Sequence, residues 1–112
     1  MTQPGPILPR LGRFIVYRKA LELAALVYAI PVTGDLRAQL HRAIESVVLN
    51  LAEGGGDSTS ANRKRYFQYS RDSLSEASSA CDLVLVRGID IDEDDLRRRV
   101  RELDAMLRSL LR

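Results

Sequence analysis

The sequence predicts an all-α fold, an antiparallel up-down-up-down four-helix bundle. Four segments repeat apolar residues at intervals of three and four, which is the spacing of one helical face. Proline or glycine residues interrupt this pattern between the segments, as they do at the ends of helices. No segment shows the strict alternation of a half-buried strand. Short links between amphipathic helices favour a bundle in which successive helices run in opposite directions.

The N-terminal region, residues 1–12, is predicted to be a flexible arm outside the bundle. It contains three prolines and two glycines, a composition typical of extended or mobile chain. The bundle domain is predicted over residues 13–112. Its first helix covers residues 14–30, and Pro31 ends it. The predicted apolar stripe of this helix consists of Tyr17, Ala20, Leu21, Ala24, Val27 and Tyr28.

The second helix is predicted to run from Asp35, a good N-cap residue, to Glu53. Its core face is expected to consist of Leu36, Leu40, Ile44, Val47 and Leu51. A polar stripe borders this face and comprises Gln39, Arg42, Ser46, Asn50 and Glu53. Three glycines, residues 54–56, are expected to end the helix, because glycine adopts the left-handed conformation without steric penalty.

The second helix also carries apolar residues away from its core face, at Val48, Leu49 and Ala52. A surface helix of a monomeric protein is usually polar on that side. This second apolar face therefore predicts that the helix has neighbours on more than one side. We expect a homo-oligomer in which these three residues form the subunit interface.

The third helix is predicted from Asn62 to Arg87, with Ser60 or Asn62 as its N-cap and Gly88 ending it. Its expected core face consists of Phe67, Ser70, Leu74, Ala77, Cys81, Val84 and Leu85. Small residues dominate the middle of the helix, so close packing against a neighbouring helix is predicted rather than a roomy cavity.

The fourth helix is predicted to start near Asp92. Four acidic residues, 92–95, occupy its first turn, where the helix dipole favours negative charge. Arg108 and Arg112 lie near its end, where the dipole favours cations. The expected core stripe consists of Leu96, Val100, Leu103, Leu107 and Leu110.

The composition is that of a folded soluble protein, with 46% apolar and 29% charged residues and a net charge of +2. The single cysteine fits a reducing compartment. No apolar run approaches the ~20 residues of a membrane span, and prolines interrupt any apolar region of an N-terminal signal peptide. A cytoplasmic protein without a membrane partner is therefore predicted.

Catalysis, metal binding and cofactor binding are not supported by the sequence. His41 and Cys81 are the only histidine and cysteine, too few for a zinc site. Cys81 falls on the core face of the third helix, which favours a buried thiol over a nucleophile. One alternative stays open, an all-helical ribonuclease that uses Arg37 and His41, which lie one helical turn apart. The leading expectation is that the protein is not an enzyme.

Basic residues form two patterns that are candidates for nucleic-acid binding. At the start of the third helix, cations alternate with the aromatic residues Tyr66, Phe67 and Tyr69. On the fourth helix, arginines at intervals of 4, 11 and 15 residues fall within one arc. Such a stripe can track phosphates, although it can also be simply the solvated face of a bundle. The candidate nucleic-acid-binding residues are Arg63, Lys64, Arg65, Arg71, Arg97, Arg101, Arg108 and Arg112.

A set of motif residues in the second helix, the glycine run after it and the third helix carries a family resemblance. They comprise Gln39, Arg42, Ala43, Ser46, Asn50, Ala52, Glu53, Gly54, Gly56, Tyr66, Phe67, Arg71, Ser73, Leu74 and Glu76. With these residues, the chain resembles the four-helix bundle proteins encoded in intervening sequences of bacterial 23S ribosomal RNA genes. That family includes the accessory variability protein of diversity-generating retroelements. The chain departs from the family pattern at His41, where a second arginine is usual, and at Val48 and Leu49, where proline and serine are common.

The resemblance implies a ring-like homopentamer without known enzymatic activity, and binding of RNA or DNA through basic surface. The expected structural motif residues are Arg42, Ser46, Asn50, Glu53, Gly54, Gly56, Ser73 and Glu76. Asn50 is predicted to bond across the bundle, and Glu53 to order the glycine turn or an adjacent subunit. The alternative function is a protein-interaction or scaffold module, for example a partner of a reverse transcriptase, without direct nucleic-acid binding.

Overall fold

The computed structural model describes residues 5–56 and 59–112, which form five helices and no strand. The helices are α1 (Pro9–Gly12), α2 (Ile15–Tyr28), α3 (Gly34–Gly54), α4 (Ser60–Val86) and α5 (Glu93–Leu110). Together they measure 43 × 28 × 23 Å, with a radius of gyration of 13.9 Å. The all-α class is confirmed, and α1 is a helix that the sequence pattern did not predict.

The helix α1 lies within the segment predicted to be a flexible arm. Pro9 occupies its first turn, where the fixed φ of proline suits a helix and its missing N–H is not needed. The side chain of Leu11 is buried and so anchors the turn against α2. The prediction of extended chain is wrong for these four residues. The part of the predicted arm at residues 1–4 lies outside the described residues.

Three helix starts test the predicted caps. Thr33, rather than Asp35, is the N-cap of α3. Thr59 caps α4, because its hydroxyl accepts a hydrogen bond of 3.3 Å from the backbone N–H of Asn62. The predicted caps at Ser60 and Asn62 are therefore wrong by one and three residues. Asp92 caps α5 as predicted, accepting a bond of 3.0 Å from the N–H of Asp95.

Contacts between α3 and α4 show how these helices are paired. The Ser70 hydroxyl donates to the Val47 carbonyl at 2.8 Å, and Arg63 Nε donates to the Gly54 carbonyl at 3.2 Å. Residue numbers thus fall on α4 as they rise on α3, so the two helices run in opposite directions. Helix α3 also packs on α2, and both α2 and α4 pack on α5.

Ion pairs show how α5 is placed relative to α2 and α4. Lys19 lies 3.2 Å from Glu102, and Arg99 lies 3.3 Å from Glu22. Since 19 pairs with 102 and 22 with 99, α2 and α5 also run in opposite directions. An ion pair of 3.0 Å between Arg71 and Asp104 joins α4 to the later part of α5.

The buried faces of α3 and α4 agree with the sequence pattern. All five predicted core residues of α3 are buried. On α4 six of the seven predicted residues are buried, and Leu85 is half-buried. On α5 the predicted stripe is buried at Leu96, Leu103 and Leu107, whereas Val100 and Leu110 are half-buried.

The buried face of α2 differs from the predicted one. Val16 and Leu23 are buried, whereas Tyr28 is 48% exposed and Leu21 is half-buried. Most positions of α2 are apolar, so periodicity allows more than one stripe. The neighbouring helices decide which stripe turns inward.

Glycines after α3 are required by close packing rather than by a left-handed backbone. A Cβ atom added at Gly54 would lie 2.5 Å from the Phe67 ring, and one at Gly55 would lie 2.7 Å from the Phe14 ring. Gly55 ends the helix with a right-handed φ of −81°. Within residues 5–56 and 59–112, positive φ values occur at Gly34 and Gly88. The predicted left-handed stop at the glycine run is therefore wrong at Gly55.

Candidate nucleic-acid interface

The predicted arginine stripe of α5 is exposed, but carboxylates neutralise half of it. Arg97 lies 3.1 Å from Glu93, and Arg108 lies 3.6 Å from Asp104, each one turn away on the same helix. Asp104 also accepts a hydrogen bond of 3.0 Å from Arg71 on α4. A phosphate would compete with these carboxylates for the three arginines. Exposed ion pairs contribute only ~0–1 kcal/mol, so this competition is weak.

The other two arginines of the stripe are exposed and have no carboxylate partner among the residues that the structure describes. Arg101 and Arg112 take part in no ion pair within the part of the chain that the structure describes. Arg101 lies between the paired residues Arg97 and Arg108, so the stripe alternates compensated and uncompensated charge. An uncompensated guanidinium presents donors in a fork that matches phosphate oxygens.

A surface groove between α4 and α5 passes beside Arg101. It contains one cavity of 280 Å³ and another of 140 Å³, which share the lining residues Ser78, Val100 and Arg101. Arg71 lines the first cavity and Arg97 the second. The structure thus brings three predicted binding residues from two helices to one groove.

Two of the three cations at the start of α4, Arg63 and Arg65, have neutral partners. Arg63 Nε donates to the Gly54 carbonyl, and its guanidinium lies 6.0 Å from the centre of the Phe67 ring. Arg65 donates to the Asn62 side-chain oxygen at 2.8 Å. Lys64 is exposed. The neutral partners orient Arg63 and Arg65 without cancelling their positive charge.

One cavity of the groove is lined by Arg71 and Asp104, and the other by Leu85 and Leu96, so α4 and α5 run in opposite directions. The start of α4 and the end of α5 therefore lie at the same end of the molecule. We call this region the basic end and define it by Arg63, Lys64, Arg65, Arg108 and Arg112.

The opposite end of the molecule is acidic. The first turn of α5 carries Glu93, Asp94 and Asp95, and Asp92 caps it. Hydrogen bonds from Arg99 and Arg98 lower the pKa of Asp95 below its ordinary value. The three arginines that follow this turn on α5, Arg97, Arg98 and Arg99, are thus paired with carboxylates of the same end. The charge distribution favours anion binding at the basic end.

Most of the predicted motif residues meet along the contact of α3 with α4. The hydroxyls of Ser46 and Ser73 share a hydrogen bond of 2.7 Å between these helices. Asn50 Nδ2 donates to the Ser46 carbonyl at 2.9 Å and to the Ser46 hydroxyl at 3.0 Å. The predicted bond of Asn50 across the bundle is therefore wrong. Ser46 makes the crossing, and Asn50 supports it from the same helix.

Two further motif residues, Arg42 and Glu76, border an open depression on the same side. Arg42, Ser46, Asn50 and Glu76 line it together with Leu49, which is 65% exposed. The other two residues of the predicted oligomer interface, Val48 and Ala52, are half-buried. Val48 packs partly against the core of its own chain. Glu53 is exposed, and the backbone of Gly56 bonds to its carbonyl.

His41 lies in a small aromatic cluster that sequence reasoning missed. Its ring meets the Tyr28 ring edge-on at 4.8 Å, and the Tyr28 hydroxyl donates to Glu45. Partial burial and the Glu45 carboxylate raise the pKa of Tyr28 to about 12. His41 and Glu45 lie one turn apart, and this spacing is the available signal in the sequence, whereas the apolar pattern predicts Tyr28 on the core stripe.

Cys81 is a buried thiol, as predicted. Burial, with a smaller contribution from Asp82, raises its pKa to about 11. At neutral pH such a thiol is protonated and a weak nucleophile. Across the described ranges, no group of three or more histidine, cysteine or acidic residues is arranged to hold a metal ion.

The sequence was also compared with models of known protein families. The model of the family described as 23S rRNA-intervening sequence protein matches residues 13–110. The chain belongs to this family. The match spans α2 to α5, and it includes every motif residue discussed above. The sequence resemblance is thereby confirmed. No curated protein matches the chain.

The described helices of this family member include none that is both long enough and apolar enough to cross a membrane.

Proposed function

We propose that the chain acts by binding rather than by catalysis, as an oligomeric antiparallel four-helix bundle that holds structured nucleic acid, RNA in particular, on its basic end. The observation that carries this proposal is the convergence of cations from two helices. Lys64 and Arg65 of α4 and Arg112 of α5 lie at one end without a carboxylate partner among the described residues. Membership of a family described by an intervening sequence of 23S rRNA makes RNA the first nucleic acid to test. The expected compartment is the cytoplasm.

The proposed mechanism is neutralisation of phosphates combined with recognition of shape. Each lysine or arginine that meets a phosphate releases condensed counterions, so affinity depends strongly on salt. A net charge of +2 is small for one chain. Symmetric assembly repeats the basic end once per subunit and gives an extended positive surface. The family resemblance favours a pentamer.

The test is to titrate structured RNA against wild type and an Arg101/Arg108/Arg112→Gln variant at several salt concentrations. We expect the variant to bind more weakly, with a log–log salt slope reduced by ~0.7–0.9 for each lost phosphate contact. The matched control is Arg37/Arg87/Arg98→Gln, which removes the same charge from the opposite end. Both variants are first checked for unchanged mass and helix content. Equal affinities and slopes for the two variants contradict the proposal.

Assembly is tested separately at Leu49, the most exposed residue of the predicted interface. Light scattering of wild type at tens of micromolar should give a multiple of the 12.5 kDa chain mass. Leu49→Asp should lower this mass, whereas Leu83→Asp, which charges another exposed leucine, on α4, should not. A monomeric wild type contradicts the oligomer.

A protein-interaction module is the second candidate function, for example a partner of a reverse transcriptase. The depression around Leu49 favours it, because an exposed apolar side chain is flanked there by Arg42 and Glu76. Binding to a protein that is insensitive to salt, without binding to RNA, would favour this function. The ribonuclease alternative has its own test, cleavage of RNA by wild type compared with His41→Ala.

A further inference from the structure

Two tyrosines on α4 form an aromatic pair on the surface beside the basic end. The centres of the Tyr66 and Tyr69 rings lie 6.3 Å apart, with the planes at 83°. Tyr69 is 47% exposed and Tyr66 is half-buried. The edge-on contact holds the rings in a defined orientation, and Tyr69 remains accessible on the surface.

Uncompensated positive charge lies directly beside this pair. Arg65 is one turn before Tyr69, so the two side chains are neighbours on the helix surface. Asn62 accepts the hydrogen bond of Arg65 at 2.8 Å. A neutral partner orients the guanidinium without cancelling its charge. Arg71, further along the same helix, is instead paired with Asp104.

An aromatic face and a cation one turn apart match the two chemical parts of a nucleotide. A base stacks on an exposed aromatic ring, and the adjoining phosphate pairs with a guanidinium. Bases inside a duplex are already stacked on their neighbours and cannot reach such a ring. Unpaired bases in loops, bulges and single strands can reach it.

We infer that Tyr69, oriented by Tyr66 and flanked by Arg65, is a stacking site for an unpaired base of RNA. This inference rests on the proposed function, and it specifies which class of RNA is bound, namely RNA with unpaired bases. Phosphate contacts alone bind duplex and single strand without distinguishing bases. The tyrosine pair gives the protein a preference for RNA with unpaired segments.

The experiment compares two RNAs of equal length, one fully duplex and one single-stranded with a 2-aminopurine base. Tyr69→Ala should weaken binding of the single strand by roughly 5-fold or more, the effect of losing one stacked base. It should leave duplex affinity within roughly twofold. Wild type and Tyr69→Phe should quench the 2-aminopurine fluorescence, whereas Tyr69→Ala should not. Leu83→Ala is the matched control, since Leu83 is 52% exposed on the same helix.

The outcomes separate this inference from the proposed function. If wild type binds neither RNA, the proposed function fails and the stacking site with it. If wild type binds both and Tyr69→Ala binds both equally well, only the stacking site is overturned. An equal loss on both RNAs also overturns it, because stacking is specific to unpaired bases. A lower assembly mass for Tyr69→Ala, measured by light scattering, overturns it by assigning Tyr69 to a subunit contact.

Discussion

The two sides of α4 carry similar small residues and pack in different ways. Towards α3, the Ser70 side chain is fully buried and donates to the Val47 carbonyl. Towards α5, Ser75 is exposed and Ser78 is half-buried, and both line a cavity of 280 Å³. Small residues on α4 permit a neighbouring helix to pack closely, but the residues of that neighbouring helix determine whether it does.

The difference lies in what α3 and α5 place opposite these serines. Helix α3 offers a backbone carbonyl to Ser70 and the hydroxyl of Ser46 to Ser73, so the buried polar atoms are paired and water is not needed. Helix α5 offers Arg101, whose guanidinium must stay in water while its aliphatic part covers the groove. The α3 side is therefore closely packed with its polar atoms paired, whereas the α5 side leaves an open groove with a charged surface.

The largest expected effect is the loss of Phe67, on the α3 side. This ring is 2% exposed and packs on Gly54 and on Phe14, 6.0 Å away between centres. Phe67→Ala should lower the free energy of unfolding by ~3–5 kcal/mol. Leu85→Ala, at the half-buried α5 side, should cost less than half as much. Chemical denaturation with unchanged slopes measures both, and equal losses would contradict the comparison.

Enlarging one serine on each side of α4 gives the next largest difference. Ser70→Leu overpacks a buried site against Val47, and we expect a loss of ~1–3 kcal/mol. Ser78→Leu extends into the groove beside Arg101 and should change stability by about 0.5 kcal/mol or less. The free energies of unfolding of both variants are measured by the same chemical denaturation. A comparable loss for Ser78→Leu would show that the groove closes in solution.

The hydroxyl network between α3 and α4 should contribute a smaller amount. Asn50→Ala removes two hydrogen bonds to Ser46, and a loss of ~0.5–1.5 kcal/mol is expected. Gln39→Ala, an exposed polar residue on the same helix, is the control and should have little effect. The melting temperatures of the two variants show whether Asn50→Ala is the less stable one. Identical values would mean that Asn50 does not support the Ser46–Ser73 bond.

The smallest effect concerns Asp95, at the acidic end of α5. Arg99 and Arg98 lower the pKa of Asp95 in the folded state. The charged carboxylate therefore stabilises the fold at pH values above its unfolded pKa of ~3.9, and this contribution is lost as the pH falls through the lower folded pKa. Asp95→Asn should therefore reduce the melting temperature at pH 7, and the deficit should shrink below about pH 4. Asp94→Asn is the matched control. A deficit independent of pH would assign the effect to something other than charge.

Much of the fold follows from local pattern, and the exceptions have physical reasons. On α3 all five core positions predicted from periodicity are buried, and the pattern missed only the small residue Ala43 among the buried apolar residues of this helix. On α2 most positions are apolar, and contact with α3 and α5 decided that Leu23 rather than Leu21 is buried. The glycine run after α3 predicts the end of the helix correctly. The requirement for glycine at position 54 comes from a residue distant in sequence, because Gly54 packs against the Phe67 ring.

The sequence by itself determined the helical class, the start of α5 at Asp92, the separation of acidic from basic segments, and the family. These properties depend on residues within a few turns of one another. Arg97 and Arg108 pair with carboxylates one turn away on their own helix, whereas only the tertiary structure decided which arginines pair with a carboxylate of another helix. Arg71 and Arg101 are equally basic in the sequence, but Asp104 pairs with Arg71 across two helices, 33 residues away. Long-range pairing of this kind depends on how the helices pack, and helical periodicity carries no information about it.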